Sequence, residues 1–293
     1  MKADAINFEM RSVAFLDILG FTDFVRTAED KASEEYQTLC ELKAVVEAEL
    51  DVSEFHIKLK PTCTYISDSI ILSSPVSNED YSGLVGVAIK SIQIAHRLLG
   101  MGFLVRGSIA VGTAAHDKSN IFGSAYMDAY VIQEEEKMPR IIMHKSTAEI
   151  LNSDARYGFG RLGELSTFVI DGNDWIVDTL NPHPSYLHEN KCTIEEIFER
   201  YRNEIIRKLE NLPLGSSRRG KWEWTAGFFN DRLERYRGDI RSVEKIDLPM
   251  PSTHFRQGNA EDQHDSNWFE PFQAGAIATI RLHNPTCGTS EKP

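Results

Sequence analysis

Apolar positions in the first 180 residues alternate between short strand-like runs and longer helical repeats. Residues 13–22 form an apolar run that contains Asp17 and turns at Gly20, and this pattern predicts a buried strand followed by a tight loop. Apolar residues at helical spacing predict helices over 23–52, with a break near Ser33, and over 81–99. Further strands are expected at 55–60, 64–73, 103–112 and 140–143, a helix from Ser146, and one or two strands within 168–180.

The pattern changes after Pro184. A charged amphipathic helix is expected over 193–212, with Thr193 and Glu196 forming a capping box. A second helix over 218–237 carries the aromatic sequence K-W-E-W, which we interpret as hairpin core rather than as a platform for stacking bases. From Gly238 the chain is rich in polar and turn residues, which indicates a loosely held tail with a short ordered piece near 268–282.

These elements predict an α+β fold, an α/β sandwich with the helices on one face of the sheet. We divide the chain into a domain over 1–184, a helical hairpin extension over 185–240 and a loosely ordered C-terminal tail over 241–293.

Composition narrows the possible functions. The 293 residues carry a formal net charge of −12, which argues against a protein that coats nucleic acid. The four cysteines are far apart and form no C-x-x-C pair, so we expect neither a zinc site nor a disulfide framework, and a cytoplasmic location. Because no apolar run approaches the roughly 18 residues of a spanning helix, no membrane partner is expected.

Two aspartates stand in apolar runs, Asp17 in the first and Asp68 in the run T-Y-I-S-D-S-I-I-L. Burying an ionised carboxylate without a partner costs several kcal/mol, so each needs a cation, hydrogen-bond donors or a metal. The pair suggests ligands for two divalent ions, and the loop over 18–22 would offer backbone N–H groups to phosphate. The alternative for either residue is a capped or salt-bridged turn aspartate.

Five blocks in order resemble the class III nucleotidyl cyclase family over residues 10–180. The resemblance implies a cyclase-like catalytic sheet in the 1–184 domain and a nucleoside triphosphate substrate. It also implies two Mg²⁺ or Mn²⁺ ions on Asp17, Asp68 and the backbone carbonyl of Ile18. The family builds its active site from two chains, so a homodimer is expected, and the apolar segment 121–132 is its candidate interface. The blocks are F-L-D-I-L-G-F-T, S-D-S-I-I-L, V-R-G-S-I-A-V-G, I-F-G-S-A-Y and R-I-I-M-H-K-S-T-A-E-I-L.

Several positions depart from the adenylate cyclase pattern. Thr64 and Asn120 stand where that pattern has the base-reading lysine and aspartate. Met127 and Val131 replace the transition-state asparagine and arginine, and the phosphate-binding lysine falls within 169–171.

With these departures the chain is similar to the pyrimidine cyclases of bacterial Pycsar anti-phage systems. That similarity implies synthesis of cyclic UMP, with UTP favoured over CTP, and a separate effector protein that binds the product. Phe21, Thr64, Tyr65 and Asn120 are then the candidate nucleotide-binding residues. A hydroxyl on Tyr65 or Thr64 would suit a pyrimidine carbonyl.

Two questions stay open at the level of sequence. Arg106 lies in the third core strand and is the candidate replacement for the missing arginine, or else a structural ion-pair partner of Asp17 or Asp68. The chain is interpreted as an enzyme, with a catalytically inactive nucleotide sensor, a cytidylate cyclase and a purine cyclase as the alternatives.

Overall fold

The computed structural model describes residues 5–47, 61–77, 80–117, 119–153, 167–182, 192–248 and 255–256. All of them belong to one unit, Met1–Ala260. They form a mixed sheet whose strands follow the order β2-β3-β1-β4-β6-β8-β7-β9, with β5 paired to β4. The strands are β1 (Glu9–Leu19), β2 (Thr62–Ile66), β3 (Ser69–Pro75), β4 (Leu104–His116), β5 (Ile121–Gly123), β6 (Ile141–Met143), β7 (Phe168–Asp171), β8 (Asp174–Val177) and β9 (Phe255–Arg256).

Seven helices accompany the described part of this sheet, and the expected α+β fold is confirmed. In the described residues no helix has the length and apolar character needed to cross a bilayer. The helices are α1 (Phe21–Ala28), α2 (Glu34–Glu47), α3 (Ser82–Gly100), α4 (Ser124–Glu135), α5 (Lys145–Ser153), α6 (Ile194–Asn211) and α7 (Ser217–Arg235).

Strand β1 is central because it pairs antiparallel with both β3 and β4. Alternate residues of a strand point to opposite faces, and both faces of β1 are buried. Leu16 and Ile18 share a core with α3, whereas Val13 and Phe15 share one with Ala125 of α4. Helices therefore cover both faces of the sheet. The expectation of helices on one face was wrong, because β1 is apolar at odd and even positions alike.

Residues 64–73 form a hairpin rather than the single strand expected from their apolar pattern. Strands β2 and β3 flank a turn at Ser67 and Asp68, and Ser67 has φ +56°. Asp68 therefore lies in a turn, and its placement within a core strand was wrong.

Other boundaries also differ from the predictions. The expected helix over 23–52 is two helices, α1 and α2, in agreement with a break near Ser33. Strand β4 runs four residues beyond the expected end and reaches His116, where it pairs with β5. The strand expected at 55–60 and the ordered piece at 268–282 lie outside the described residues.

Helices α6 and α7 pack against the sheet. Thr193 caps α6 through the Glu196 backbone N–H, and the Glu196 side chain accepts from the Thr193 N–H, which confirms the capping box. Trp222 is 7% exposed and shares a core with Leu104 of β4 and Ile176 of β8. The aromatic residues of α7 thus contribute to packing, as expected, and that core is continuous between hairpin and sheet. The domain boundary at 184 stays a prediction.

Candidate functional site

Asp17 and Arg106 form an ion pair at the end of β1. The β1–β4 register places the two residues directly opposite each other, so their side chains leave the same face of the sheet. Arg106 Nε donates to Asp17 Oδ2 at 2.7 Å, and both side chains are largely buried, at 21% and 15% exposure. This is one of the structural ion pairs that the sequence left open for Arg106.

Two further acceptors fix the Arg106 guanidinium. Its Nη1 donates to the Glu136 carbonyl at 2.9 Å, just after α4. With the Gln133 side-chain oxygen turned towards it, that oxygen accepts from Nε at 2.9 Å and from Nη2 at 3.1 Å. Gln133 is 1% exposed and was not singled out from the sequence. A signal was present, because Ala125, Ala129 and Gln133 recur every four residues on the inner face of α4.

Asp68 lies next to the end of β1 through its backbone. The Ile18 N–H donates to the Asp68 carbonyl at 2.9 Å. Asp17 directly precedes Ile18, so Asp17 and Asp68 lie on neighbouring chain segments. The Asp68 side chain is half-buried. Burial, together with the negative charge of Asp68, raises the pKa of Tyr65 to about 12.

The loop after β1 has the geometry of a tight strand-to-helix turn. Gly20 adopts φ +80°, a left-handed conformation that glycine takes without strain, and α1 begins at the next residue, Phe21. The Phe21 ring is 3% exposed and packs with Phe24 and Phe103. Phe21 can therefore serve a ligand only through its backbone N–H at the helix start.

The oxygen donors near the end of β1 suit a hard divalent cation. Asp17, Asp68 and the Ile18 carbonyl are the ligand types that Mg²⁺ and Mn²⁺ prefer. Within the described ranges no group of three or more acidic, histidine or cysteine side chains is arranged to hold a metal. Asp17 Oδ2 is engaged by Arg106, so a cation on Asp17 has to share that carboxylate or displace the guanidinium.

Thr64 and Tyr65 point to opposite faces of the sheet. Thr64 lies opposite Ile71 and Tyr65 opposite Ile70, and those two isoleucines belong to different cores. Thr64 thus shares the face of Asp17, whereas Tyr65 packs in the α3 core. The Tyr65 hydroxyl is buried without a hydrogen-bond partner among the described residues.

The Thr64 hydroxyl is bound to a histidine that the sequence analysis missed. Thr64 Oγ1 lies 2.9 Å from His116 Nε2, and Ser73 Oγ lies 2.7 Å from His116 Nδ1. Burial, together with the nearby charge of Arg11, lowers the pKa of His116 to about 4, so the ring is neutral. Asn120 is exposed in the turn between β4 and β5, where its N–H donates to Asp117 Oδ1 at 2.8 Å.

The positions at which the adenylate cyclase pattern has an asparagine, an arginine and a lysine hold side chains of other kinds. Met127 and Val131 are apolar and exposed, at 53% and 48%. Val169 is fully buried, and Asp171 accepts from Arg140 Nη1 at 2.7 Å. The arginine and lysine of the family pattern therefore have no counterpart at these positions, and the cation that contacts Asp171 is Arg140.

No protein-family model and no curated protein matches the chain. Among solved structures, the chain is similar to the monomeric guanylyl cyclase domain of the RhoGC fusion protein from the aquatic fungus Blastocladiella emersonii. That match has 14% identity and a TM-score of 0.37, and it covers 58% of this chain and 95% of that one. A double mutant of the same domain matches with 15% identity, the same coverage and a TM-score of 0.37.

A third similar structure is the catalytic core of a rhodopsin-guanylyl cyclase with converted specificity in complex with ATPalphaS. It has 16% identity and a TM-score of 0.34, and the match covers 58% of this chain and 96% of that one. At such low identity and TM-score we transfer no residue role or activity from these structures.

Proposed function

We propose that this protein is a nucleotidyl cyclase that converts a pyrimidine nucleoside triphosphate into its 3′,5′-cyclic monophosphate and pyrophosphate. The observation that carries the proposal is the 2.7 Å contact of Asp17 with Arg106 at the end of β1, where the next residue, Ile18, donates its backbone N–H to the Asp68 carbonyl at 2.9 Å. An acidic side chain paired with a cation, a second acidic residue on the neighbouring hairpin and a glycine turn at a helix start would together supply the charges that phosphoryl transfer requires.

Asp17, Asp68 and the Ile18 carbonyl would hold the divalent ions. Such ions, when bound, activate the ribose 3′-hydroxyl and neutralise the charge of the departing pyrophosphate. The backbone N–H groups at the start of α1 would bind phosphate oxygens. Arg106 would contact a phosphate oxygen once its hold on Asp17 is relaxed, while Gln133 and the Glu136 carbonyl keep the guanidinium in place.

Preference for a pyrimidine rests on the short neutral groups of Thr64 and Asn120 and on the sequence resemblance to Pycsar cyclases. Thr64 lies on the Asp17 face, and its hydroxyl is oriented by His116. We leave Tyr65 out of base recognition because it faces the other side of the sheet. The choice of UTP over CTP, the role in anti-phage defence and the separate effector protein rest on the resemblance alone.

A homodimer is proposed as the active form. We define the outer face of α4 as Met127, Tyr130 and Val131, which are 53%, 38% and 48% exposed, and Phe122 of the preceding β5 is 49% exposed. Large apolar groups clustered on one helix favour contact with another protein surface. A two-fold dimer would repeat this face in both subunits and bury it twice.

One observation favours a second candidate, a nucleotide-binding sensor without catalysis. The Asp17–Arg106 ion pair occupies an oxygen that a metal would need. A protein that keeps this pair when nucleotide binds would recognise the triphosphate without cyclising it.

Incubation with each of the four nucleoside triphosphates and Mn²⁺ separates the two candidates. A cyclase releases pyrophosphate and forms a cyclic product from UTP or CTP, and adding a chelator in excess of Mn²⁺ stops the reaction. Nucleotide binding without release of pyrophosphate would instead support the sensor and contradict the proposed activity.

A further inference from the structure

Helix α7 lies over the end of the sheet that carries Arg106. Three of its residues, Trp224, Thr225 and Phe228, line a small cavity together with residues at the start of β4 and just before β6. The sheet-side residues that matter here are Val105 and Pro139. This shared lining shows that Trp224, Thr225 and Phe228 face the start of β4.

Lys221 lies on that same face, one turn before Trp224 and Thr225. Residues three, four and seven apart on a helix share a face, so the row Lys221, Trp224, Thr225 and Phe228 is continuous. Leu104 also lines the cavity and lies two residues before Arg106 in β4, so the two residues share a face of the sheet and α7 packs on that face near Arg106.

The charges around Lys221 agree with this placement. Burial and the positive charge of Arg106 lower the pKa of Lys221, whereas Asp17 raises it. Arg218, one turn earlier on α7, and Lys137, after α4, also lower that pKa. Lys221 is therefore within electrostatic range of three other basic groups, which belong to β4, α7 and the segment after α4.

The acidic side chains near this cluster have other partners. The buried Glu136 carboxylate accepts from Arg140 Nε at 2.9 Å and from two backbone N–H groups. Glu223 accepts from Arg219 Nε at 2.8 Å on another side of α7. Asp17 pairs with Arg106, and its negative charge also acts on Lys221. Such a concentration of positive charge, in a chain of net charge −12, favours a polyanionic ligand.

We propose that Lys221, with Arg218 and Lys137, forms a phosphate-binding subsite next to Asp17 and Arg106. The ligand class is a polyphosphate, and in the proposed function it is the triphosphate chain of the substrate, so this inference rests on that function for its physiological ligand. Lysine binds phosphate as a flexible point charge, which suits a side chain that reaches in from α7. The helical hairpin is then part of the active site.

The subsite also offers a replacement for the phosphate-binding lysine that the described part of the sheet lacks. The positions where the family resemblance placed a phosphate-binding lysine, 169–171, hold a buried valine and an aspartate paired to Arg140. In this proposal the phosphate-binding cation comes from α7 instead of from residues 169–171.

Titration calorimetry of the full chain with inorganic tripolyphosphate, without divalent cations, tests the subsite. Lys221→Gln should raise the Kd roughly tenfold, the effect of losing one charge-assisted contact, while Lys221→Arg should stay within about threefold of the wild type. Lys245→Gln is the matched control, since it removes the same charge from an exposed lysine paired to Glu234. Thermal melts should place all three variants near the wild type.

The outcomes separate this inference from the proposed function. Tripolyphosphate binding that depends on Lys221 in a protein that forms no cyclic nucleotide supports the subsite and overturns the cyclase. Cyclic product together with unchanged tripolyphosphate binding in Lys221→Gln overturns the subsite and leaves the cyclase in place. Equal weakening by Lys221→Gln and Lys245→Gln, or no tripolyphosphate binding by the wild type, also overturns the subsite.

Discussion

Asp17 is the single residue on which the candidate site most depends. Its carboxylate compensates the charge of a largely buried guanidinium in the absence of ligand and is the proposed metal ligand in its presence. Asp68 differs because it lies half-buried in a turn, and its carboxylate forms no ion pair with another of the residues that the structure describes. The two carboxylates should therefore respond differently when each is removed.

Asp17→Ala and Asp68→Ala should each abolish turnover while the protein stays folded, because each removes a ligand of the proposed metal pair. Asp17→Ala should also lower the free energy of unfolding by about 2 kcal/mol, because Arg106 loses its carboxylate partner. Asp68→Ala should change it by less than about 1 kcal/mol. Steady-state cyclase assays and urea unfolding measure these effects, with the exposed Asp247→Ala as control. Wild-type activity in either variant would refute the metal assignment.

His116 should make stability depend on pH. Its pKa in the folded protein is about 4, below the ordinary value of 6.5, because burial and Arg11 disfavour the charged ring. The folded chain thus binds fewer protons, so the contribution is complete above pH 6.5 and is lost as the pH falls towards 4. Between pH 7 and pH 5 we expect a loss of about 1.5 kcal/mol, after allowance for partial exposure.

Urea unfolding of the wild type and of His116→Gln at these two pH values measures that contribution. The variant should lose less stability than the wild type on acidification. An identical pH dependence in the two proteins would show that His116 titrates normally in the folded state.

The sequence indicated the charged residues of the site but not the residues that hydrogen-bond to the site, such as Gln133 and His116. Asp17 and Arg106 stand out because a charge in an apolar strand is costly, and their pairing was among the alternatives. The contact between Thr64 and His116 joins residues 52 positions apart, and it depends on the extension of β4 beyond its expected end. No local pattern encodes such a contact.

The elements around the site depend on a few backbone conformations. Gly123 joins β5 to α4 with φ +135°, and a Cβ there would lie 2.2 Å from the Thr113 carbonyl oxygen. Both the conformation and the close approach require glycine at this position.

Gly123→Ala should lower the free energy of unfolding by about 2 kcal/mol or more, since strain and backbone overlap add. Gly220→Ala is the matched control: it lies inside α7 with open space at the Cβ position and should stabilise by roughly 0.5–1 kcal/mol. Chemical unfolding monitored by circular dichroism measures both changes. A neutral Gly123→Ala would contradict the strand-to-helix geometry.

Helix and strand types were predictable because apolar spacing encodes them, as in α3 and α6. The β2–β3 hairpin was missed for a physical reason. Its apolar run continues on both sides of a turn that has no glycine, and Ser67 takes the left-handed conformation at φ +56°.

At the scale of the whole molecule, two helix faces matter for the proposed function. The outer face of α4 is apolar and exposed, and the inner face of α7 covers the end of the sheet near Arg106. The spacing of apolar residues does not specify which elements a helix packs against. The sequence therefore suggested a hairpin apart from the catalytic sheet, whereas the two share one core.

Replacing Met127 and Val131 together by glutamate should convert a dimer into monomers and abolish cyclase activity. Charges on the outer face of α4 would be buried against each other in a two-fold contact. Leu214→Glu is the control, because this leucine is 82% exposed in the turn before α7 and is not part of α4. Light scattering after size exclusion measures the mass, and an active wild-type monomer would contradict the dimer proposal.

The most direct test of the central claim is product identification in a mixture of equimolar UTP, CTP, ATP and GTP with Mn²⁺, read by mass spectrometry. The wild type should form cyclic UMP as its major product together with pyrophosphate, and Asp68→Ala should form none. Cyclic CMP as the major product would contradict only the choice between pyrimidines. A purine cyclic nucleotide as the major product would contradict pyrimidine specificity, and no cyclic product from any of the four would contradict the cyclase itself.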